Sequence, residues 1–300
     1  MNNQPKISLL APAYQAEQFI QRYIDCVLDF DYPNLELILV KDVSKDKTHE
    51  IIESNRERIT NAGIEFKYIN LEENKGQAYA INIGLKEVTG EYLSWQDVDD
   101  IIYPNCLSKC LEAIQDSPEC KQDFCKCAVV KSDNLDKVIK LMPSQNFDYN
   151  NLFKNTLLGK KMIFNSVRFV ETEALFNVLK QKSIDVSRGG QNLQLFLPMI
   201  YEYKWCYIDE ILAKYVIYQN SHSHSINKLK HCLQVHKIKL YTLESMNLSK
   251  NEKSYFKFLA TISLVLSFFT RLFLRININT KQKFIKIELF GKEIFNTERI

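Results

Sequence analysis

Three carboxylates stand within four residues, directly after a short apolar run, and this spacing could hold a metal ion. Residues 91–95 have the character of a strand, and the acids that follow are Asp97, Asp99 and Asp100. Mg²⁺ and Mn²⁺ take oxygen ligands, usually one or two from carboxylates, with phosphate oxygens supplying others. The stretch therefore predicts either a metal–diphosphate site where a strand ends or a solvated acidic turn that caps the next helix.

The elements that must position these acids follow a regular order over roughly the first hundred residues. Short apolar runs with strand character alternate with segments of helical spacing; the strands are predicted at 6–10, 35–40, 64–69 and 92–95. This order predicts an α/β fold with a mainly parallel, Rossmann-like sheet flanked by helices on both faces. The loops after strands one, two and four should open on the same edge and face one crevice; they are 11–15, 42–46 and 97–100.

Charge is distributed unevenly along the 300 residues, although the net charge is only +3. Residues 226–300 carry 14 Lys and Arg against 5 Asp and Glu, a net of +9, so the remainder is near −6. A basic tail on an acidic body predicts an anionic surface or partner for the tail. We expect no nucleic-acid partner.

Eight cysteines are present, and the polar start of the chain gives no sign of a secretory signal. We therefore expect free thiols in a reducing, cytoplasmic location. Five of them cluster between Cys106 and Cys127, but their spacing lacks the paired C-x2-C knuckles of structural zinc sites. Buried cysteines acting as small hydrophobes are the favoured interpretation over a zinc site.

Four ordered segments, 7–15, 36–48, 74–85 and 90–100, resemble the family 2 glycosyltransferases of the GT-A fold, of the type found in bacterial polysaccharide synthesis. The resemblance covers about residues 6–225. It implies an enzyme that transfers a sugar from a nucleotide-sugar donor, expected to be a UDP-sugar, to a glycan or lipid-linked glycan with inversion. It also implies a divalent cofactor, Mn²⁺ or Mg²⁺.

The resemblance also assigns expected roles to residues around the donor. Asp42 matches the acid that hydrogen-bonds the uracil ring, although its usual acidic neighbour is Lys41 here. The segment beneath the nucleotide matches residues 12–14. The acidic motif that holds ribose and ion matches residues 97–100, with the second and third acids favoured for the metal. A late Ser-rich loop adds a histidine pair as further candidates for the ion or the diphosphate. These candidates are Pro12, Ala13, Tyr14, Asp97, Asp99, Asp100, His222 and His224.

The sharpest departure from the family lies where a Gly-Glu-Asp segment normally supplies the general base. Here the corresponding pair is Gln191-Asn192, and an amide cannot take up a proton at neutral pH. Asp185, just upstream, could serve instead, or Asn192 could orient an acceptor that needs no strong base. A third account is a non-catalytic subunit that binds nucleotide-sugar or glycan within an assembly complex.

We expect two parts: a nucleotide-sugar-binding, catalytic domain over 1–225 and a basic, helical extension over 226–300. In the irregular second half, strands are predicted at 124–131, 160–164 and 203–208, and a helix at 168–179. The apolar stretch 255–276 is interrupted by charges at Lys257 and Arg271, so it is too short to span a bilayer. It either packs on the catalytic domain or lies on an anionic membrane surface, which would place the protein on the inner face of the cell membrane.

Overall fold

The computed structural model describes residues 4–142, 151–159, 167–186, 190–218, 228–272, 274–279, 284–289 and 292–296. The chain divides into two compact units. The first comprises Met1–Phe153 with Met162–Ser221, and the second comprises Lys154–Lys161 with His222–Ile300.

The first half of the chain alternates strands and helices in the predicted order. Its elements are β1 (Ile7–Ala13), α1 (Ile20–Leu28), β2 (Leu35–Lys41), α2 (Thr48–Ser54), α3 (Arg56–Asn61), β3 (Glu65–Asn70), α4 (Gln77–Glu87), β4 (Tyr92–Gln96), β5 (Ile101–Ile102), α5 (Cys106–Asp116), β6 (Cys120–Lys131) and β7 (Lys140–Met142).

The chain continues with shorter elements before a long strand. They are α6 (Leu152–Leu157), β8 (Val167–Glu171), α7 (Thr172–Val178), a single 3₁₀ turn (Lys180–Lys182), α8 (Gln191–Glu202) and β9 (Lys204–Ile217). The helix predicted over 168–179 is wrong in its first third, because residues 167–171 form a strand that pairs antiparallel with β4 and β6. The strand predicted at 160–164 lies outside the described residues.

Within the described residues, nine strands form one sheet in the order β3-β2-β1-β4-β8-β6-β9-β5, with β7 paired to β6. The four strands β3, β2, β1 and β4 are parallel, as predicted. Strand β1 continues to Ala13 and includes Pro12, where the sequence predicts a break. This extension is possible because β4 pairs with β1 only as far as Leu10, and β2 alone accompanies β1 beyond it.

Apolar side chains cover both faces of the sheet, which explains the continuous apolar runs of β1 and β2. On one face α1 and α5 contribute buried residues such as Ile24 and Leu107. On the other face α4, α7 and α8 contribute residues such as Ile81 and Leu195. The sheet is thus held rigidly from both sides, and its strand ends are fixed platforms for loops.

A buried carboxylate, Glu36, ties β2 to the start of β4. It is 0% exposed and accepts hydrogen bonds from Lys67 Nζ at 2.8 Å and from the backbone N–H groups of Thr89 at 2.7 Å and Gly90 at 3.1 Å. Burial opposes ionisation, but these bonds prevail and hold the pKa of Glu36 below its usual range. Gly90 must be glycine, because a Cβ there would lie 2.7 Å from the carbonyl oxygen of Lys6.

The second unit contains two long helices, α9 (Lys228–Ser245) and α10 (Lys250–Leu272), which pack on each other. The predicted helical extension is confirmed in these helices, but three antiparallel strands follow them: β10 (Leu274–Asn279), β11 (Phe284–Leu289) and β12 (Lys292–Asn296). A buried lysine, Lys239, joins parts of this unit by donating to Leu157 O at 2.6 Å and to Ser263 Oγ at 3.3 Å. No helix among the described residues is both long enough and apolar enough to cross a bilayer.

Candidate functional site

The carboxyl ends of β1, β2 and β4 meet at one edge of the sheet, which we call the site edge. Ala13 pairs with Lys41, and Asp42 N donates to Ala13 O at 2.9 Å. The acidic turn, residues 97–100, follows β4 directly. Parallel strands end at the same edge, so the three loops predicted to face one crevice do begin there.

Asp42 anchors the turn that leads into α4. The residue is 3% exposed, and its carboxylate accepts hydrogen bonds from the backbone N–H groups of Val43 at 3.1 Å, Lys75 at 3.1 Å and Gly76 at 2.8 Å. Gly76, with φ of 86°, adopts a left-handed conformation that suits glycine at this position. Asp42 therefore fixes residues 74–77 beside the site edge, whatever else it contacts.

The next residue, Gln77, links this turn to the acidic turn. Its Nε2 donates to Asp97 Oδ1 at 3.3 Å. Asp42 and Asp97, 55 positions apart in the sequence, are thus joined through two adjacent residues at the start of α4. Tyr14, the first residue after β1, is 45% exposed and leaves an aromatic ring open to solvent here.

Asp97 is paired with an arginine that sequence reasoning did not single out. Arg168 Nη2 donates to Asp97 Oδ2 at 2.6 Å, and the guanidinium lies 5.0 Å from the centroid of the Trp95 ring. The Arg168 side chain is 4% exposed, while that of Asp97 is 26% exposed. A charged group this deeply buried requires a partner, and Asp97 supplies it.

The other two acids of the turn have different surroundings. Asp100 is 2% exposed and accepts a hydrogen bond from Val216 N at 3.0 Å, so it fastens the turn to β9. Asp99 is only half-buried. Burial and the nearby charge of Asp97 raise the pKa of Asp99 to about 6, which marks a carboxylate that would gain from a cation.

The backbone of Asp99 is held by two side chains from distant parts of the chain. Arg22 Nη2 donates to Asp99 O at 2.6 Å and lies 2.9 Å from Tyr218 Oη. Tyr218 Oη also donates to Asp99 O at 3.1 Å, and its ring contacts Phe19 with centroids 4.6 Å apart. Helix α1 and the end of β9 therefore fix the acidic turn between them.

The acidic turn fits a divalent ion that is shared with a phosphate ligand better than one enclosed by protein. Within the described residues, no three His, Cys, Asp or Glu side chains converge on a common metal position. Asp97 is engaged by Arg168 and Asp100 is 2% exposed, so the half-buried Asp99 is the more accessible of the two acids favoured for the metal. One carboxylate with substrate phosphates is an ordinary donor set for Mg²⁺ or Mn²⁺. The candidate ligands His222 and His224 lie outside the described residues.

The segment expected to supply the base lies at the start of α8. Gln191 and Asn192 are half-buried residues of its first turn, preceded by Gly190 with φ of 74°. The backbone of Asp185 is held on α8 by Gln194, whose Oε1 accepts from Asp185 N at 2.7 Å. Ile184 is held on α4 by Asn82 through two bonds of 2.8 Å. Asp185 therefore lies in a segment whose backbone is held between α4 and α8.

The structure adds Arg22, Gln77, Arg168 and Tyr218 to the predicted set. The sequence contains one signal, and it concerns Arg168 alone. A charged residue within an apolar run, as in Val-Arg-Phe-Val-Glu at 167–171, is rarely buried unless it is paired. The partners of Arg168 and Arg22 lie 71 and 77 positions away, so no local pattern identifies them.

All five clustered cysteines are buried free thiols, as predicted; these are Cys106, Cys110, Cys120, Cys125 and Cys127. Burial raises the pKa of Cys110 above its usual range. Asp123 on β6 is 0% exposed beside Cys110, and burial raises its pKa to about 8. This acid lies in the apolar layer under α5 and away from the site edge.

Sequence comparisons identify relatives of part of the chain. A protein of Bacillus subtilis (strain 168) named for a glycosyltransferase of teichuronic acid biosynthesis is 32% identical over 163 residues, which are 53% of this chain and 61% of that protein. A poly-beta-1,6-N-acetyl-D-glucosamine synthase of Staphylococcus epidermidis is 32% identical over 113 residues, 38% of this chain and 26% of the synthase. The aligned part thus spans less than two thirds of either relative.

Solved structures share the fold over most of the chain. S. aureus TarS 1-349 in complex with UDP-GlcNAc has a TM-score of 0.63 at 18% identity, covering 88% of this chain and 73% of that one. The mannosyltransferase PcManGT from Pyrobaculum calidifontis, in complex with GDP-Man and Mn²⁺, has a TM-score of 0.60 at 14% identity, covering 89% and 74%. The predicted α/β fold of the GT-A type is confirmed. The family model described as glycosyl transferase family 2 matches residues 8–169, more than half of the sequence, and this chain therefore belongs to that family.

Proposed function

We propose that this chain transfers a sugar from a nucleotide-sugar donor, a UDP-sugar, to a glycan or lipid-linked glycan in cell-surface polysaccharide synthesis. The observation that carries the proposal is the site edge itself, where Asp42, the turn at 74–77 and the acidic turn are joined by hydrogen bonds. The complexes of structural neighbours with UDP-GlcNAc, and with GDP-Man and Mn²⁺, support a nucleotide-sugar donor and a divalent ion, and the first of them supports UDP as the nucleotide.

We assign each residue of the site to a part of the donor. The nucleotide lies against Pro12, Ala13 and Tyr14, with Asp42 at the uracil ring, and the turn that the Asp42 carboxylate holds shapes that pocket. Asp97 faces the ribose, and Asp99 would hold the Mn²⁺ or Mg²⁺, with Asp100, His222 and His224 as further candidate ligands. A bound ion would stabilise the departing diphosphate as a Lewis acid.

Inversion requires an acceptor hydroxyl to attack from the face opposite the diphosphate. Because Gln191 and Asn192 cannot take up the hydroxyl proton, we assign Asn192 to orienting the acceptor and Asp185 to receiving the proton. The fixed backbone of Asp185 supports this assignment, since a base must be held in place to contribute.

Release of UDP tests the proposal directly. The full chain is incubated with a panel of UDP-sugars and Mn²⁺, with and without glycan acceptors, and free UDP is measured. We expect UDP release well above that of the Asp99→Asn variant, in which the more accessible carboxylate favoured for the ion is removed. Release equal to that of Asp99→Asn with every donor would refute a transferase that uses UDP-sugars.

A second candidate is a non-catalytic subunit that binds nucleotide-sugar or glycan, and the Gln191-Asn192 pair favours it. The same panel separates the two functions. Binding of UDP with Mn²⁺ in a calorimeter without any UDP release would support the subunit, whereas release would exclude it.

We further propose that residues 1–225 form the catalytic domain and that 226–300 form an extension that contacts an anionic membrane from the cytoplasmic side. Helix α10 supports this, because one face packs on α9 while another exposes large apolar side chains at helical spacing. Buried residues include Phe256 and Ala260, and the exposed residues are Tyr255, Phe258, Val265 and Leu266, of which Phe258 is 62% exposed.

Replacing Phe258 and Leu266 together by glutamate is expected to weaken binding to phosphatidylglycerol vesicles by roughly a hundredfold or more, because each buried apolar side chain is worth about 1.5–3 kcal/mol. Cosedimentation of the full chain measures this. Val138→Glu, at an apolar residue that is 47% exposed in the first unit, is the matched control and should bind as the unaltered chain does. Equal binding by the double variant and the control would contradict the proposal.

A further inference from the structure

Arg168 is a buried cation beside the acidic turn that the assigned chemistry of the turn does not use. It lies on β8, opposite Trp95 of β4 in the antiparallel register, so its side chain emerges next to the acidic turn. Its hydrogen bond is the 2.6 Å bond to Asp97, and its Nε and Nη1 are buried without a hydrogen-bond partner among the described residues.

An arginine remains charged even in such surroundings, so the site must balance its charge locally. The face of the Trp95 ring, 5.0 Å from the guanidinium, contributes part of this balance, and the carboxylate of Asp97 contributes the rest. Asp97 is therefore not a free anion, although it is the first of three acids in the turn.

The net charge at the acidic turn is therefore less negative than its three aspartates suggest. Asp97 and Arg168 cancel each other, and Asp100 is buried against the backbone of Val216. Of the three acids, the half-buried Asp99 is then the accessible carboxylate that is not paired with Arg168.

We propose that Arg168 is a positioning residue that neutralises Asp97, so that a divalent ion is directed to Asp99 and stays shared with the donor diphosphate. The inference deepens the proposed function and rests on it. An ion bound between two free carboxylates would be held by the protein without nucleotide, whereas an ion bound by one carboxylate needs the phosphate oxygens to complete its ligand set.

The test is a double-mutant cycle on Arg168 and Asp97, with Mn²⁺ alone as the probe. Removing the cation with Arg168→Met exposes the charge of Asp97, and we expect Mn²⁺ to bind about tenfold more tightly without nucleotide. Removing the anion with Asp97→Asn exposes Arg168, and binding should weaken by about tenfold. The variant with both changes should bind Mn²⁺ within about twofold of the unaltered chain, because the two removed charges cancel.

Calorimetry on the full chain measures each affinity, and thermal unfolding verifies that each variant is folded. A purely structural role for Arg168 would not produce opposite signs in the two single variants or their reversal in the double variant. Should Arg168→Met not fold, Asp97→Asn and the double variant still decide: equal Mn²⁺ affinities in those two overturn the inference.

Failure of the inference is distinguishable from failure of the proposed function. If the unaltered chain binds UDP with Mn²⁺ but Mn²⁺ affinity is the same in all four proteins, the role of Arg168 is wrong and the donor site stands. If the unaltered chain binds no UDP with Mn²⁺, the proposed function is overturned and this inference with it.

Discussion

Asp99→Asn is expected to lower sugar transfer by roughly 10³-fold, which is the size of effect seen when a single charge-stabilising group is removed from an active site. Asparagine keeps the shape of the side chain but loses the negative charge. The neighbouring acids are less well placed to bind the ion, because Asp97 is paired with Arg168 at 2.6 Å and Asp100 is 2% exposed with its Oδ1 on Val216 N. Binding of UDP should lose its dependence on Mn²⁺ at the same time.

The measurements are UDP release under saturating donor and calorimetric binding of UDP with and without Mn²⁺. Asp116→Asn, the same change at an exposed acid at the end of α5, is the control and should leave both unchanged. If Asp99→Asn retained the Mn²⁺-dependent affinity for UDP while folding normally, the ion would have to be held elsewhere, and the assignment of Asp99 would be wrong.

The site edge could be predicted because its geometry follows from strand order. Once residues 6–95 are recognised as strands alternating with helices, parallel pairing places the residues after β1, β2 and β4 at one edge without any further information. Asp42 and the acidic turn are therefore brought to one edge, although 55 positions separate Asp42 from Asp97. The hydrogen-bond partners of each acid could not be predicted from the sequence, since the three aspartates of one turn have three different environments.

The residues that fix the turn could not be predicted for the same physical reason. Arg168 acts from an antiparallel strand placed beside β4, and residues 168–179 have helical spacing in their second part, which hid the strand in front of it. Arg22 and Tyr218 meet Asp99 from α1 and from the end of β9, 196 positions apart in the chain. Contacts of this kind are set by packing of distant elements and leave no periodic pattern in the sequence.

The C-terminal strands show the limit of a composition-based prediction. The basic character of residues 226–300 and the helical spacing of 229–236 predicted helices throughout. Residues 284–289, however, alternate apolar and charged side chains as Phe-Ile-Lys-Ile-Glu-Leu, and β11 pairs with β10 and β12 there. In a prediction from composition and spacing, an alternating run of six residues carries less weight than the long helical segments that precede it.

The second large effect concerns stability and pH, and it arises at Asp123, a buried acid in the apolar layer of the first unit. Its pKa is raised to about 8 by burial, and the neighbouring Cys110 offsets only part of this. In the unfolded chain the group titrates near the ordinary value of 3.8. Between these two values the folded protein carries one more proton than the unfolded chain, so the free energy of unfolding falls as pH rises, by about 1.4 kcal/mol per unit.

Asp123→Asn removes this titration while keeping the shape of the side chain. Below about pH 4 the acid is protonated in both states and contributes no slope, and above about pH 8 it is ionised in both. We expect the variant to gain roughly 3 kcal/mol over the unaltered chain between pH 5 and pH 7, which is the slope above multiplied by two units. Other titrating groups contribute equally to both proteins and cancel in the difference.

Urea unfolding at pH 5, 6, 7 and 8 measures the difference, followed by the fluorescence of Trp95 and Trp205, which both lie in the same unit as Asp123. Asp116→Asn, at the exposed acid that ends α5, controls for loss of a negative charge and should differ from the unaltered chain by a constant amount at every pH. A pH-independent difference for Asp123→Asn as well would mean that Asp123 is ionised in the folded protein. A buried anion would then need a compensating cation beside it, and the apolar layer under α5 would have to open to admit one.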